Sequence, residues 1–394
     1  MKEILKYFKG DVIIWFVVGL LLMLSILSIY STSSTISYLQ THSAASFAIK
    51  RVILACVCLG GMLILSNINY AFFTRLSGII LVASFVLLLI VYFGGTSING
   101  SKRWIVILGF TIQPSEFVKV GLIMTVCRFL SLYQTDLGCS DRGFKAIFWI
   151  SNFVCASIAY SDFSTSVLLY ITIFILCYVG RVRKSLLFKY YGIIIASGLI
   201  FAIAITILPV KLPGRLATIQ NRMMSFTGNN QNKDSESTYN YQIEQSKIAI
   251  VTGGYTGRGP GNSIQRNFLP LPFSDFVYAA IIEEFGMLVG IGVIILYVIL
   301  MYRAGILVKK SSWVFPALLT LGLMIGIVFQ AFVNIGVSLG VVPITGQPLP
   351  LVSKGGSSLL ATCFSLGMIL NITYSLGKED SNDPSINEED NKQL

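Results

Sequence analysis

The run VIIWFVVGLLLMLSILSIY, from Val12 to Tyr30, contains no charged residue and decides the fold class. A helix needs about 20 mostly apolar residues to cross the roughly 30 Å hydrocarbon core of a bilayer, and this run is long enough. It is too long for the apolar core of a signal peptide, and no clear A-x-A-like cleavage site follows it. We therefore expect a retained first membrane-spanning helix.

Similar runs recur along the chain, which has 394 residues, 54% of them hydrophobic and only 12% charged. Soluble domains have about a quarter of their residues charged, so this composition and a mean hydropathy of +0.76 indicate a polytopic membrane protein. The sequence predicts an all-α integral membrane protein with about ten transmembrane helices. The runs begin near Val12, Phe47, Ser77, Ser115, Ala146, Phe163, Leu187, Phe276, Ser312 and Ser357.

Basic residues beside the runs predict the orientation, because cytoplasmic loops are enriched in Lys and Arg. With both termini cytoplasmic, most of these bases fall on the cytoplasmic side: Lys2, Lys6, Lys9, Arg142, Lys145, Arg181, Arg183, Lys184, Arg303, Lys309 and Lys310. Four fall on the other side and oppose this assignment: Lys50, Arg51, Lys102 and Arg103. The majority favours a multi-pass protein with both termini inside.

One connection, at about 208–275, is much longer than the others and lies between predicted helices seven and eight, on the outside. Within it, YQIEQSKIAIV (241–251) predicts a short amphipathic helix before a glycine-rich turn. We assign residues 1–377 to one membrane domain. The acidic segment 378–394 is polar throughout, and we expect a disordered cytoplasmic tail there.

The chain has seven cysteines, a single histidine and no CxxC spacing, so a disulfide scaffold or a Cys/His zinc site is not expected. The formal net charge of +11 would suit nucleic acid. However, many of the bases sit in short loops between apolar runs, so we read them as topology signals and expect no nucleic-acid partner.

The turn GGYTGRGPG (Gly253–Gly261) lacks the GK[ST] ending of a nucleotide loop. It predicts tight turns or, alternatively, a cradle whose glycine amides hold a lipid pyrophosphate beside Arg258. The outer loop has an excess of bases, which suits an anionic ligand but equally a solvated loop or contact with lipid headgroups. They are Lys211, Arg215, Arg222, Lys233, Lys247, Arg258 and Arg266.

Ionisable residues in or beside the predicted helices usually face a cavity or a partner. They are Glu116, Lys119, Asp162, Glu283 and Glu284. Glu116 and Lys119 are spaced i, i+3 on one helix face, which predicts either a structural ion pair or part of a site. Glu283 and Glu284 are expected to order the helix bundle or its cavity.

The stretch FLPLPFSDFVYAAIIEEFG (Phe268–Gly286) places Asp275 at the junction of a Pro-rich loop and an apolar helix. Two interpretations remain open. The carboxylate could cap the helix, or it could act as a general base that accepts a proton from a sugar hydroxyl at the membrane edge.

Three stretches together resemble the RodA/FtsW/SpoVE membrane glycosyltransferases. They are NGSKRWIVILGFTIQPSEFVKVGLI (99–123), the segment 241–286 and NIGVSLGVVPITGQPLPLVSKGGSSLL (334–360). The resemblance covers essentially the whole chain, and the RNFLP…SDFVYAAIIEE part is more similar to FtsW than to RodA. It implies a bacterial cytoplasmic-membrane enzyme that polymerises lipid II into peptidoglycan strands during cell division and releases undecaprenyl pyrophosphate.

The resemblance also implies residue roles. Asp275 matches the family's essential aspartate, the expected base for an inverting transfer. Glu116 and Lys119 match its polar pair, with Gln113 and Asp162 expected nearby. Tentative substrate or pyrophosphate contacts are Lys119, Glu116, Arg215, Arg258, Arg266, Lys354, Ser357 and Ser358.

Expected partners are a class B penicillin-binding protein, divisome membrane proteins and membrane lipids. No nucleotide sugar is implied. A divalent cation, Mg²⁺ or Mn²⁺, remains an open expectation because no dedicated carboxylate cluster is visible in the sequence.

Several positions depart from the family pattern. Leu271 and Phe273 replace polar residues near the aspartate, and Thr111 replaces an arginine. Ser164 replaces a glycine, and Lys354 replaces a tyrosine. None of these changes removes the expected base.

Three other interpretations remain open. The buried charges could line the path of a lipid II flippase. The enzyme could belong to elongation rather than division. A scaffold without chemistry is the third alternative.

Overall fold

A computed structural model gives the fold and describes residues 9–39, 44–68, 70–94, 96–98, 101–107, 110–136, 138–207, 220, 233–265, 268 and 275–381. The helices are α1 (Val12–Leu39), α2 (Ala44–Ser66), α3 (Tyr70–Gly94), α4 (Pro114–Leu132), α5 (Asp141–Ser161), α6 (Phe163–Val179), α7 (Lys184–Ile207), α8 (Lys233–Gly253), α9 (Val277–Phe285), α10 (Met287–Lys310), α11 (Val314–Ser338) and α12 (Gly356–Ser381).

Each of the ten predicted runs falls on helix, which confirms the all-α membrane fold. Within the residues that the structure describes fully, seven helices are long and apolar enough to cross a membrane: α1, α2, α3, α5, α10, α11 and α12. Helix α6 is apolar but shorter. Helix α4 carries the charged residues Glu116, Lys119 and Arg128, which lower its mean hydropathy and place charged side chains inside the bundle.

The predicted eighth span is wrong as a single helix, because it consists of α9 and α10 with Gly286 between them. Gly286 has φ +86°, and a Cβ there would lie 2.3 Å from the carbonyl oxygen of Tyr255. Only glycine fits this backbone and this close approach. The break separates the nine residues of α9 from the long apolar helix α10.

Short strands were not predicted. β1 (Thr96–Ile98), β2 (Ser101–Ile107) and β3 (Phe110–Ile112) form an antiparallel sheet in that order, with Thr96 opposite Trp104 and Ile105 opposite Ile112. β4 (Gln134–Thr135) and β5 (Gly138–Cys139) form a second antiparallel pair. The first sheet leads directly into α4, so it lies in the first of the three family-like stretches.

In the long connection, the predicted amphipathic helix is confirmed and extends over 21 residues as α8. At the other end of the chain, α12 continues to Ser381, past the expected start of the tail at residue 378. The rest of that tail, 382–394, lies outside the described residues.

Helix α11 is at the centre of the bundle and packs against α4, α6, α9, α10 and α12. Most of the membrane-length windows of α11 and α12 are buried inside the protein, whereas those of α2, α3 and α10 are mostly open to the surroundings. Two polar side chains of α11, Gln330 and Asn334, are therefore buried in the core of the bundle. They lie on one helix face, one turn apart.

Candidate functional site

Asp275 lies directly before α9 and is half-buried. The N-cap position of α9 is Phe276, so Asp275 does not occupy the capping position. The backbone carbonyl of Asp275 accepts a hydrogen bond of 3.0 Å from Nδ2 of Asn334. A Cβ built on Gly346 would lie 3.9 Å from Oδ2 of Asp275, so the carboxylate lies beside the loop that connects α11 to α12.

That connecting loop is joined to the start of α6 through Gln347. Its Nε2 donates to Oγ1 of Thr165 at 2.5 Å and to the Asp162 carboxylate at 3.3 and 3.4 Å. Asp162 is the N-cap of α6 and accepts from the backbone N–H of Thr165. Asp162, which the sequence singled out, thus caps α6 and also binds Gln347 of the loop beside Asp275.

Gln113 completes this part of the network from α4. It is the N-cap residue of α4, and its Nε2 donates to Oγ of Ser115 at 3.0 Å and to Oδ2 of Asp162 at 3.3 Å. Pro114 follows at the first helical position, where its lack of an N–H costs nothing. The starts of α4 and α6 are therefore held together by one carboxylate.

Glu116 and Lys119 form the ion pair that their spacing predicts, with Nζ 2.9 Å from Oε2. Nζ also donates to Oε1 of Gln330 at 2.7 Å, and Nε2 of Gln330 donates to the Pro348 carbonyl at 2.9 Å. The pair is thereby connected to the same loop as Asp275. Side chains of α4, α11 and α12 line a small cavity here, among them Glu116, Lys119, Gln330, Thr362 and Ser365.

Glu283 and Glu284 are buried in α9 and hold other segments in place. The Glu283 carboxylate accepts from the amides of Ile264 and Gln265 at 2.8 and 3.2 Å, and from the Ser263 hydroxyl. Oε1 of Glu284 accepts from the hydroxyl of Ser31 in α1 at 2.5 Å. These contacts join α9 to α1 and anchor the long connection near residue 265.

The glycine-rich turn wraps around the end of α9. The amides of Arg258 and Gly259 donate at 2.9 Å to the carbonyls of Glu283 and Glu284. The Gly257 amide donates to Gly253, and the Gly261 amide to Ser31. These amides are thus used within the protein, so the tight-turn interpretation holds and the proposed amide cradle for pyrophosphate is wrong. The Arg258 side chain is exposed beside the turn.

The remaining predicted contacts divide into three groups. Ser357 and Ser358 are buried at the start of α12, and the Ser358 hydroxyl has no hydrogen-bond partner among the described residues. Lys354 is exposed in the loop just before them. Although the side chain is exposed, neighbouring protein atoms remove part of its hydration and lower the pKa of Lys354 below its usual value, and the positive charge of Lys50 adds to this effect. Arg215 and Arg266 lie outside the described residues.

Comparison with known proteins places this arrangement in a family. The FtsW/RodA/SpoVE model, described as a cell cycle protein, matches residues 11–378. The chain belongs to the FtsW/RodA/SpoVE family. It is 28% identical over 372 residues to stage V sporulation protein E of Bacillus subtilis, covering 93% of this chain and 98% of that protein.

Two further matches agree with the family. The probable peptidoglycan glycosyltransferase FtsW of Coxiella burnetii is 31% identical over 361 residues, or 90% of this chain and 93% of that one. A chain from a solved peptidoglycan synthase complex that coordinates polymerization and crosslinking has a TM-score of 0.71 at 20% identity. That match covers 93% of this chain and 98% of the other, and it confirms the fold.

Sequence reasoning missed the uncharged amides of this FtsW/RodA/SpoVE family member: Gln330, Asn334 and Gln347. Neither hydropathy nor charge singles out an amide in an apolar run. All three lie in or just before the third family-like stretch, and Asn334 opens it. The stretch itself was thus the signal that could have found them.

Arg51 in α2 was counted only as a topology signal, yet it is 5% exposed. Its guanidinium donates to Oγ of Ser25 at 2.7 and 3.0 Å and to the Leu351 carbonyl at 3.0 Å. Leu351 has φ +65°, in the left-handed region that residues other than glycine rarely adopt. Within the part of the chain that the structure describes, Arg51 forms no ion pair, so a buried positive charge adjoins the loop that carries Lys354.

Proposed function

We propose that this protein polymerises lipid II into peptidoglycan glycan strands, with Asp275 as the general base. The observation that carries this proposal is the placement of a half-buried carboxylate where the outer segment meets the bundle. The carboxylate lies beside a loop whose carbonyls accept hydrogen bonds from Gln330 and Asn334 and whose Gln347 donates to Thr165 of α6. The printed names of the FtsW relatives, probable peptidoglycan glycosyltransferases, support the same activity.

In the proposed reaction, Asp275 accepts the proton of the 4-hydroxyl of the acceptor N-acetylglucosamine. The oxygen attacks the anomeric carbon of the donor from the face opposite its α-linked pyrophosphate. A β-1,4 bond forms as the bond to undecaprenyl pyrophosphate breaks, so the configuration inverts. The leaving group departs as an anion, and the chain must hold that charge.

Cations near the loop after α11 are suited to that task. Arg51 is buried without an ion pair among the described residues, and Lys354 and Lys50 are exposed and close enough for their charges to interact. A phosphate placed against these groups would compensate the buried guanidinium and gain charge-assisted hydrogen bonds. We assign the pyrophosphate of one substrate to this end of the site, together with Ser357 and Ser358.

A divalent cation does not fit the protein side of the site well. Among the described residues, His, Cys, Asp and Glu side chains form no group of three or more that could hold a metal ion. Any Mg²⁺ or Mn²⁺ that takes part would therefore be held chiefly by phosphate oxygens, as Mg²⁺ often is. Varying the metal in the polymerisation assay tests its involvement.

We also propose that the protein acts in the cytoplasmic membrane of a bacterium, with both termini in the cytoplasm and the segment 208–275 outside. We propose a role in division rather than elongation, alongside a class B penicillin-binding protein and other divisome membrane proteins. The match to a chain from a peptidoglycan synthase complex supports such a partnership.

The flippase alternative draws its support from buried charges. Glu116 and Lys119 pair with each other, and Glu283 and Glu284 hold segments of the protein. Their observed contacts therefore account for them without a transport path, and the geometry favours the polymerase.

Incubating the purified protein with lipid II in detergent, with and without a cognate penicillin-binding protein, tests the function directly. Glycan polymer is expected from the wild type. A flippase moves lipid II without forming a glycosidic bond, so it gives no polymer. Absence of polymer under all conditions, including added metal, would refute the proposal.

A further inference from the structure

Asn334, near the end of α11, joins two separate segments of the site through one amide group. Its Nδ2 donates to the Asp275 carbonyl at 3.0 Å and to the Gln347 carbonyl at 2.8 Å. Both hydrogens of the amide are thus used, and the residue is 1% exposed. The contacts are to backbone atoms, so they fix the path of the chain rather than a side-chain rotamer.

The two segments have different origins, which is why this bridge matters. Asp275 ends the long outer connection, and Gln347 belongs to the loop between α11 and α12. Gln347 is held in turn by Thr165 and Asp162 at the start of α6. Asn334 thereby connects the backbone of Asp275 to the start of α6 through Gln347, whereas Glu283 anchors the same long connection near residue 265.

We infer that Asn334 is a positioning residue for the reaction, acting by holding the backbone of Asp275 so that its carboxylate meets the acceptor hydroxyl. This inference rests on the proposed function. A misplacement of a reacting group by about 1 Å can cost on the order of 100-fold in rate. The hydrogen bond from Asn334 reaches only the backbone carbonyl of Asp275. Loss of the Asn334 amide should therefore affect the chemical step more than the binding of lipid II.

The chain offers a matched control in Asn371 of α12. It is 2% exposed, and its Nδ2 likewise donates only to backbone carbonyls, those of Leu65 and Ser66 at the end of α2 and of Ile68 just after it. In both residues the Oδ1 atom is buried and has no hydrogen-bond partner within the described segments. Asn371→Ala thus removes the same kind of interaction from a different part of the bundle.

The experiment compares kcat and KM for lipid II in Asn334→Ala, Asn334→Ser and Asn371→Ala, with thermal unfolding measured in the same detergent. For Asn334→Ala we expect kcat to fall roughly 30-fold, with KM within about three-fold of the wild type. The serine variant can donate to only one of the two carbonyls, so its kcat should be intermediate. Asn371→Ala should lower the unfolding temperature comparably, with kcat within about two-fold.

Hydrogen exchange provides a second measurement that does not depend on activity. In either Asn334 variant, amides of the peptide around 275–278 should exchange faster, and those around 65–70 should not. The inference is overturned if wild type polymerises but Asn334→Ala keeps its kcat. It is also overturned if Asn371→Ala loses as much kcat, or if the loss in Asn334→Ala lies in KM. If the wild type itself makes no polymer, the proposed function fails and this inference fails with it.

Discussion

Replacing Lys119 by methionine should destabilise the protein, because it leaves the carboxylate of Glu116 buried without its cation. The side chains of Glu116 and Lys119 are 3% and 14% exposed, and the pair is 2.9 Å apart. Breaking one partner of a buried ion pair costs roughly 3–5 kcal/mol. The lysine keeps some exposure, so we expect about 3 kcal/mol, including the loss of its hydrogen bond to Gln330.

A double replacement separates charge from packing. In Glu116→Gln with Lys119→Met, the uncompensated charge is gone and methionine retains most of the lysine stem volume. Replacing both partners of a buried pair is often nearly neutral, so we expect a cost of about 1 kcal/mol. The single variant should therefore unfold about 30-fold more readily than the double, since 1.4 kcal/mol corresponds to a factor of ten.

The assay is equilibrium unfolding in mixed micelles of increasing SDS content, followed by tryptophan fluorescence. It measures stability alone, so it does not depend on the proposed activity. A single variant as stable as the wild type would refute the reasoning. So would a double variant that loses more free energy of unfolding than the single one, because the charge of Glu116 would then not be the cause.

Two other predictions concern the glycine-rich turn and the cations. Gly257→Ala should lower the free energy of unfolding by at least about 2 kcal/mol more than Gly254→Ala in the same assay. In both variants the positive φ strains the alanine by about 1 kcal/mol, and in Gly257→Ala a clash with the backbone adds to that strain. Both glycines have positive φ. A Cβ at Gly257 would lie 2.3 Å from the carbonyl oxygen of Glu284, whereas a Cβ at Gly254 would have no atom within 4 Å. Equal losses of unfolding free energy in the two variants would contradict this prediction. Lys354 has a lowered pKa, so it loses its charge at a lower pH than an ordinary lysine, and KM for lipid II should rise earlier with pH than in Lys354→Arg. Arg51→Gln should raise KM at every pH. An unchanged KM in Arg51→Gln, together with the same pH dependence of KM in Lys354→Arg as in the wild type, would remove the cations from the proposed pyrophosphate site.

The helical part of the fold could be predicted because each membrane-length run of apolar residues leaves helix as the simplest way to satisfy its backbone. The break at Gly286 could not, since an apolar run hides a local interruption and glycine is common in membrane helices. The strands around Trp104 were missed for a related reason. They lie in a short connection between two apolar runs, and WIVI (104–107) has no alternation of apolar and polar residues that would indicate a strand.

The site was only partly predictable from the sequence. Glu116, Lys119 and Asp162 stand out because charge is rare in this chain, and the structure brings them into one polar network with Asp275. The side chains that connect this network are Asn334, Gln330 and Gln347, whose partners lie far away in the sequence. Arg51 was overlooked because a base at a helix end normally reports topology.

Asp275→Asn is the most direct test of the central claim, that this carboxylate is the base of a lipid II polymerase. Asparagine keeps the size of the side chain and leaves the Asp275 carbonyl free to accept from Asn334, but it cannot take a proton. Asp141→Asn, whose carboxylate forms an exposed ion pair with Arg183, is the matched control. The account predicts that Asp275→Asn lowers the rate of polymerisation at least about 100-fold with unchanged unfolding, while the control stays within two-fold. Polymerisation by Asp275→Asn at the wild-type rate would contradict it.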